Sequence, residues 1–352
     1  MDFLGVFGRW QLQRERVLRD HQDPLAHHDR LLVRRYRLPR VVIMDIVDVV
    51  RADHQRPTMR SRALSPELQV VLALQFYATA SFFGVTGDAL GASKSSVSRA
   101  VHSVSRSIIR HLSSDAIHFP VSDNELRQQN QQFYEVAHLP RVVGVIDCTH
   151  VALRRPFQNE NVFVNRKGYH SINVQGVCNH GMTFSNVVIR WPGSTHDSYV
   201  WQNCSLKQQF VRGDYGDNYL LGDSGYPLRP FLVVPFLQPT TPQERAFNSA
   251  LKRTRVTVEC AFGLLKMRFR CLDRSGGALQ IQPDRVCNIV HACSILHNIA
   301  VTRGLPLPAG MDNHAAILLE RHQQVPIVAT QPQRGDHLIA GRQTRQQLVD
   351  LF

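Results

Sequence analysis

The chain has 352 residues, 43% of them hydrophobic, and a formal charge of +13 at pH 7. That length suits about two domains of ordinary size with a proper core, and no run of about eighteen apolar residues is present to span a bilayer. The basic balance favours a polyanionic partner such as DNA, RNA or an anionic surface, although an ordinary basic surface is the simpler alternative.

Cysteine usage and the N-terminal charge narrow the class of protein. Seven scattered cysteines form no C-x-x-C pair and no zinc-type spacing, which indicates reduced thiols and an intracellular compartment. The apolar stretch at the N-terminus is too short for a signal peptide. Residues 1–64 hold thirteen arginines and no lysine, and the guanidinium fork suits phosphate. We therefore expect a soluble protein, without a membrane partner, whose N-terminal part favours nucleic acid.

Helical patterns dominate the first third of the chain. Residues 41–50 place apolar side chains on one helical face and acids on the opposite face. Ser65, followed by Pro66, is the predicted N-cap of a helix that runs to about Ala80. The pattern predicts an all-α region ahead of the rest of the chain.

Residues 84–112 predict a helix-turn-helix. A short helix leads through a tight turn at Gly91 into a longer helix capped by Ser93. On the longer helix an apolar stripe faces inward, and a basic stripe on another face consists of Arg99, His102, Arg106 and Arg110. Such a stripe is typical of a DNA-binding helix. The alternative is a solvated charged face on a packing helix.

From Arg141 onward, short apolar runs bounded by turn residues predict strands. The five predicted strands are 141–147, 171–179, 183–191, 219–223 and 231–236. Helical patterns lie between the third and fourth strands, after the fifth, and over residues 284–301. This order is typical of an α/β domain on a mixed sheet whose first three strands form a meander. Beyond Gly304 apolar periodicity is weak, and we expect a tail with partial order.

Four acids lie at predicted strand ends, at a helix start or on the long helix: Asp147, Asp197, Asp223 and Glu259. Strand-terminal acids of an α/β sheet point into the crevice where ligands bind. Buried carboxylates repel unless paired, so a divalent cation is their natural partner, and an all-oxygen ligand set favours Mg²⁺ or Mn²⁺. Taken singly, each acid also has a plain explanation, Asp197 as an N-cap and Glu259 as a surface carboxylate.

Four motifs follow one another in the second half of the chain: GVIDCTHV, WPGSTHDSYVW, LGDSGYPL and VECAFGLLKMRF. Together they resemble the catalytic domain of PIF/Harbinger-type DDE transposases, and most nearly the domesticated nuclease relatives found in vertebrates. The resemblance covers most of the chain. It implies an RNase H-like fold, with a mixed five-stranded sheet and flanking helices. We accordingly divide the chain into a helical N-terminal region, residues 1–135, a DDE nuclease domain, residues 140–302, and a C-terminal tail, residues 303–352.

The resemblance also implies site residues. Asp147, ending the first strand, Asp223, ending the fourth, and Glu259 match the catalytic carboxylate triad, which holds divalent metal. Asp197 matches an additional family acid and is expected to be a fourth metal ligand. The two-metal mechanism of such sites places ions about 3.5–4 Å apart around an in-line displacement at a phosphodiester.

Basic residues near these acids are predicted to assist. Around Glu259 the sequence also resembles the Tyr-Arg-Glu-Lys signature of related bacterial transposases. Arg255 precedes Glu259 by one helical turn and Lys266 follows by two, so one helix face offers both cations to DNA phosphate. His150 and His196 are predicted to orient carboxylates or to contact phosphate. Hydrogen-bonded structural histidines are the alternative for both.

Three functions remain open on the sequence. The leading hypothesis is a transposase-derived, metal-dependent endonuclease that hydrolyses DNA, without autonomous transposition. The alternative is a catalytically silent DNA-binding or scaffold protein that retains the transposase fold. A metal phosphatase or RNase fits less well, because the basic N-terminal region suggests a long duplex. The resemblance further implies a companion protein with a Myb/SANT-like domain and a location in nucleus and cytoplasm, and it leaves a homo-oligomer open.

Overall fold

The structure is a computed structural model that describes residues 23–56, 63–307 and 337–352. The arginines and the short apolar stretch of residues 1–22 lie outside the described residues. So do the arginines within residues 57–62 and the part of the predicted tail that spans residues 308–336.

Six helices make up the described chain ahead of the sheet. Helices α1 to α6 are Asp29–Tyr36, Arg40–His54, Pro66–Thr79, Phe83–Leu90, Lys94–Ala116 and Asp123–Ala137. The predicted N-cap of α3 is confirmed, because the hydroxyl of Ser65 accepts a hydrogen bond from the backbone N–H of Leu68 at 3.2 Å.

The junction between α4 and α5 depends on two glycines. Gly91 ends α4 with a φ of 71°, in the left-handed region that glycine adopts most readily. A Cβ on Gly87 would lie 2.2 Å from the carbonyl oxygen of Ala92, so the turn folds back too closely for any side chain there. Ser93 then caps α5 by accepting from the N–H of Ser96 at 3.1 Å. Two helices joined by a tight turn therefore occupy the predicted segment.

The second half of the chain is built on a mixed five-stranded sheet. Strands β1 to β5 are Val142–Ala152, Ser171–Cys178, Phe184–Pro192, Tyr219–Leu221 and Leu232–Val233. Their order across the sheet is β3-β2-β1-β4-β5. The first three are antiparallel neighbours, whereas β4 runs parallel to β1 and β5 parallel to β4. The predicted α/β class, mixed sheet and opening meander are confirmed.

Strand β1 is longer than its sequence pattern indicates. Its parallel pairing with β4 stops where Val145 meets Leu221, but its antiparallel pairing with β2 continues to Ala152. The expectation that Asp147 ends the first strand is therefore wrong, because pairing with β2 extends the strand beyond it. Asp147 instead lies inside β1, two residues past the last pair between β1 and β4.

Helices cover both faces of the sheet. Helices α7 to α12 are Glu160–Phe163, Asp197–Gln202, Ser205–Arg212, Pro242–Arg268, Pro283–Thr302 and His337–Val349. The larger apolar cluster includes Val145 of β1 and Val258 of α10, whereas the smaller includes Ile146 of β1 and Trp201 of α8. Adjacent strand residues point to opposite faces, so α10 covers one face and α8 the other.

Close approach of α10 to the sheet has a local cause. Gly176 of β2 lies directly opposite Asp147 in the β1–β2 ladder. A Cβ on Gly176 would lie 2.8 Å from Cζ of Phe262 on α10, so only glycine leaves room for that ring. The long helix therefore packs directly against the strand that carries Asp147.

The last two helices pack against the second half of the chain, and α11 also joins it to the helical region. Helix α11 packs along α5 of the helical region and against β3 of the sheet. Helix α12 contacts α10 and β5, with Leu348 and Val349 buried in the larger cluster. No helix among the described residues is both long and apolar enough to cross a membrane.

Candidate active site

A largely buried ion-pair group joins the middle of β1 to α10. The Nη2 of Arg255 donates to Oδ2 of Asp147 at 3.0 Å and lies 3.4 Å from Oε1 of Glu259, one turn further along α10. The side chains of Arg255, Asp147 and Glu259 are 16%, 18% and 22% exposed. One guanidinium thus offsets two carboxylates at the face between strand and helix.

Asp223 approaches this group from the turn after β4. Strand β4 ends at Leu221, where its pairing with β1 stops, so the expectation that Asp223 ends the fourth strand is wrong. Asp223 lies two residues further on, and its Oδ1 accepts from the backbone N–H of Gly225 at 2.9 Å. The N–H of Tyr226 donates to the carbonyl of Asp223 at 3.2 Å and closes the turn. Asp147, Asp223, Arg255 and Glu259 are hereafter called the carboxylate cluster.

The titration behaviour of the carboxylate cluster reflects this proximity. Burial raises the pKa of Asp147 to about 7; the Arg255 guanidinium opposes the rise, and the charges of Asp223 and Glu259 add to it. Burial alone would lower the pKa of Arg255, but the three carboxylates outweigh it and raise that pKa. Three acids from three separate elements therefore act on one cation.

Asp197 lies on the opposite face of β1. The Nδ2 of Asn173 donates to Oδ1 of Asp197 at 3.0 Å and to the carbonyl of Thr195 at 2.8 Å. Asn173 pairs with His150 in the β1–β2 ladder, and side chains alternate along a strand. Asn173 and its partner Asp197 therefore lie on the face away from Asp147.

Both predicted histidines are hydrogen-bonded within the protein. The Nδ1 of His196 accepts from the N–H of Ser198 at 3.3 Å and caps α8. The alternative in which Asp197 caps this helix is therefore wrong, because Asp197 is the first helical residue. The Nδ1 of His150 lies 3.1 Å from Oγ of Ser171, and burial lowers the pKa of His150.

The ligand atoms that the carboxylate cluster offers are of the chemical type that a hard divalent cation prefers. Asp147, Asp223 and Glu259 offer carboxylate oxygens, the ligand type that Mg²⁺ and Mn²⁺ prefer. They already stabilise positive charge, since Arg255 lies among them. Within residues 23–56, 63–307 and 337–352, however, no three His, Cys, Asp or Glu side chains converge closely enough to hold a metal ion.

Comparison with known proteins identifies the family of the chain. The sequence profile described as DDE superfamily endonuclease matches residues 146–298. The chain is 42% identical over 277 residues to the Homo sapiens protein named "Putative nuclease HARBI1", with 79% of each chain covered. This chain belongs to the DDE superfamily of endonucleases. The resemblance to Harbinger-type transposases is thereby confirmed.

Two further relatives, from an amphibian and a plant, are less similar to this chain. The Xenopus laevis protein of the same name is 37% identical over 279 residues, covering 79% of this chain and 80% of the relative. An Arabidopsis thaliana relative, "Protein ALP1-like", is 28% identical over 260 residues, covering 68% of this chain and 61% of the relative. No solved structure matches the chain significantly.

The second predicted phosphate contact, Lys266, also faces inward. The Nζ of Lys266 donates to Oγ1 of Thr149 at 2.6 Å and to the carbonyl of His150 at 3.1 Å. Burial lowers the pKa of Lys266 to about 8, which the Asp273 charge partly opposes. Lys266 and Arg255 both contact β1, so α10 directs its two cations at the sheet, and their role toward phosphate stays a prediction.

The predicted DNA-binding helix is α5, on which the arginines and the histidine differ in exposure. Arg99 and Arg106 are exposed, and Arg99 donates to Oγ of Ser96 at 3.3 Å. The ring nitrogens of His102 are buried and have no hydrogen-bond partner among the described residues. Burial lowers the pKa of His102 to about 4. His102 is therefore a neutral, half-buried side chain rather than a surface cation.

Three contacting residues were absent from the sequence-based site. The hydroxyl of Tyr226 lies 3.2 Å from Sγ of Cys148, and Thr149 accepts from Lys266. Burial raises the pKa of both Tyr226 and Cys148, so both are neutral at pH 7. Strand alternation is the sequence signal that could have found them. If the predicted strand is continued past Asp147, alternation places Thr149 on the α10 face and Cys148 on the opposite face.

Proposed function

We propose that this protein is a divalent-metal-dependent endonuclease that hydrolyses phosphodiester bonds in DNA. The observation that carries the proposal is the gathering of Asp147, Asp223 and Glu259, from β1, the turn after β4 and α10, around one cationic group. Mg²⁺ or Mn²⁺ bound by these carboxylates would supply charge stabilisation for the attacking and leaving oxygens, in the two-metal manner. Asp197, on the other face of β1, is proposed as a further ligand on the family resemblance alone.

The chain's own residues position the reaction. Gly225 fixes the Asp223 carboxylate through its N–H, and Lys266 ties α10 to β1 through Thr149. Arg255 has a buried Nε without a hydrogen-bond partner among the described residues. A guanidinium has five N–H donors in a fork that matches phosphate. Arg255 is therefore placed to stabilise a phosphodiester beside the carboxylates, provided that it exchanges Asp147 for phosphate oxygen.

Plasmid nicking tests the proposal. The protein is incubated with supercoiled plasmid in Mg²⁺ or Mn²⁺, beside an Asp147→Asn, Glu259→Gln double variant that keeps side-chain shape. An Asp217→Asn, Glu135→Gln variant changes two exposed acids and serves as the matched control. We expect nicking by the wild type and the control to exceed that of the cluster variant by about a hundredfold or more. Equal nicking by all three would refute the proposal.

A second function, a DNA-binding scaffold without cleavage, is favoured by one contact. Arg255 already offsets part of the negative charge of Asp147 and Glu259, so the folded protein has a cation of its own at this position. Mn²⁺ binding measured by calorimetry or electron paramagnetic resonance separates the two functions. If the protein is a scaffold, it binds DNA, and the wild type takes up no more Mn²⁺ than the Asp147→Asn, Glu259→Gln variant does.

Three accompanying proposals follow: the exposed arginines of α5 support the first, and the family resemblance alone supports the other two. The N-terminal helical region, with its helix-turn-helix-like segment of residues 84–112, contributes DNA binding. A Myb/SANT-like companion supplies sequence recognition and assists nuclear entry, so that the protein occupies nucleus and cytoplasm. Complete nuclear accumulation in cells that lack any such companion would contradict the import proposal.

A further inference from the structure

A basic groove of about 790 Å³ opens between α2, α5 and the start of α11. Its lining contains five arginines, Arg56, Arg99, Arg106, Arg110 and Arg285. The acid among the described lining residues, Asp53, is already paired with Arg110 at 3.2 Å and with His111 at 3.0 Å. The groove shares no residue with the carboxylate cluster, and its positive charge exceeds what its own acid offsets.

The groove is shared between the two parts of the protein. Arg99, Arg106 and Arg110 belong to α5 of the helical region, whereas Arg285 belongs to the first turn of α11, behind the sheet. The positive end of a helix dipole is an unfavourable place for a cation and a favourable one for an anion. Asp284 beside Arg285 offsets part of this charge. An anion in the groove would be attracted by both the arginine and the helix end.

The floor of the groove also contains an unsatisfied polar group. The two ring nitrogens of His102 have no hydrogen-bond partner among the described residues, and the ring packs edge-on against Phe83, 6.3 Å between centroids. A buried donor without a partner costs free energy, and buried polar groups normally find one. Both nitrogens are enclosed, so His102 lies beneath the arginines as a neutral ring, and the positive charge of the groove comes from the arginines.

We propose that this groove binds the phosphate backbone of duplex DNA, so that the helical region and the catalytic domain hold the same duplex. The proposal rests on DNA being the substrate, as proposed above. Arg99 and Arg110 are eleven residues apart on α5, about 16 Å along the axis. Over that length one strand of B-DNA carries roughly four to five phosphates. The spacing therefore suits a run of phosphates rather than one phosphorylated small molecule.

The lining distinguishes a duplex from a single strand. The described lining residues include no Phe, Tyr or Trp, whereas proteins that bind single strands stack bases on such rings. Helices α2 and α11 flank the arginine face of α5, so this face forms a floor and not a protruding edge that enters the major groove. Contacts to backbone phosphates carry no sequence information. Binding here is therefore independent of sequence and strongly dependent on salt.

Fluorescence anisotropy tests the proposal in chelator, with no divalent cation, so that binding is measured apart from cleavage. A short labelled duplex of arbitrary sequence is titrated at several salt concentrations with the wild type, with Arg106→Gln, Arg285→Gln protein, and with an Arg127→Gln, Arg212→Gln control. The control removes the same charge from exposed sites outside the groove. We expect the groove variant to bind about tenfold more weakly, and its log–log salt slope to fall by about two, while the control changes little.

Two results would overturn the proposal. One is equal affinity and salt slope for the groove variant and the Arg127→Gln, Arg212→Gln control; the other is tighter binding of a single strand than of the duplex. Unchanged thermal melting of each variant verifies folding, and all four arginines are exposed. Should Arg106→Gln, Arg285→Gln protein melt early, the Arg99→Gln, Arg106→Gln pair on α5 replaces it. If the protein binds duplex DNA through the groove but does not nick plasmid, the result counts against the nuclease function proposed for the carboxylate cluster and leaves the groove proposal intact.

Discussion

The carboxylate cluster and the basic groove use arginine in opposite ways. Arg255 is 16% exposed and lies within 3.4 Å of two acids, whose negative charge it partly offsets. Arg106 and Arg285 are exposed, and the structure shows no ion pair between either and a described residue. A buried ion pair that loses one member leaves an uncompensated charge, whereas an exposed cation is readily replaced. The comparison predicts that stability depends on Arg255 and DNA affinity on the groove.

Replacement of the buried guanidinium should have the largest effect on stability. Arg255→Gln removes the guanidinium that Asp147 and Glu259 share, and we expect the free energy of unfolding to fall by about 3–5 kcal/mol in chelator. Because a divalent cation can replace the lost positive charge, Mn²⁺ should raise the melting temperature of this variant more than that of the wild type. Denaturant titration and thermal melting measure both effects. Equal stability of the Arg255→Gln and Arg212→Gln proteins would show that the fold does not depend on Arg255.

The stability of the protein should also depend on the hydrogen bond from Lys266, the other inward-facing cation of α10, to Thr149. Thr149→Val removes the hydroxyl that accepts from Lys266 and keeps the shape of the side chain. We expect a loss of about 1–3 kcal/mol in the free energy of unfolding, because the ammonium is left with one acceptor fewer in a buried position. Thr344→Val, on the half-exposed face of α12, is the matched control. A loss no greater than in the control would show that water replaces Thr149.

His102 should make the folded protein less stable at acidic pH. Its pKa is lowered to about 4 in the folded protein, whereas an unfolded histidine titrates near its ordinary value of about 6.5. Between these two values the unfolded chain binds more protons, so stability falls as the pH drops through that window. In a His102→Leu variant the loss of stability between neutral pH and pH about 4.5 should be smaller. Identical pH profiles would show that His102 is not neutral in the folded protein.

Neutralising the groove should have the smallest effect on stability. Arg106→Gln, Arg285→Gln protein is expected to unfold within about 0.5 kcal/mol of the wild type, because both side chains are exposed. Denaturant titration of this variant beside Arg255→Gln completes the comparison. A loss as large as that of Arg255→Gln would mean that the groove arginines hold the fold together instead of serving a ligand.

Local signals in the sequence predicted the elements well. Ser65 has a hydroxyl that reaches the N–H of Leu68, and the five apolar runs correspond to five strands. These features depend on neighbours within a few residues, which a sequence displays directly. The length of β1 depends instead on pairing with β2, which begins nineteen residues after β1 ends. That pairing could not be read from the run of apolar residues that ends at Ile146.

The candidate site was predictable in its residues but not in its arrangement. The motifs identified Asp147, Asp223 and Glu259, whose elements do meet. The face on which Asp197 lies depends on the course of the chain between β3 and α8, and on the Asn173 amide that fixes it. The hydrogen bond from Arg255 to Asp147 spans 108 positions of the chain. Sequence spacing therefore indicated that Arg255 lies one helical turn from Glu259, but not that it binds Asp147.

The alternation of β1 has a consequence for how this chain can change. Consecutive residues of the strand serve different faces, Asp147 toward α10 and Cys148 toward α8. Inserting or deleting a single residue just ahead of Asp147 would exchange the two environments, because a one-residue shift of register reverses every following side chain. The carboxylate would then meet Tyr226, and a thiol would meet Arg255. Loops can gain or lose residues freely, whereas β1 tolerates changes of length only in steps of two.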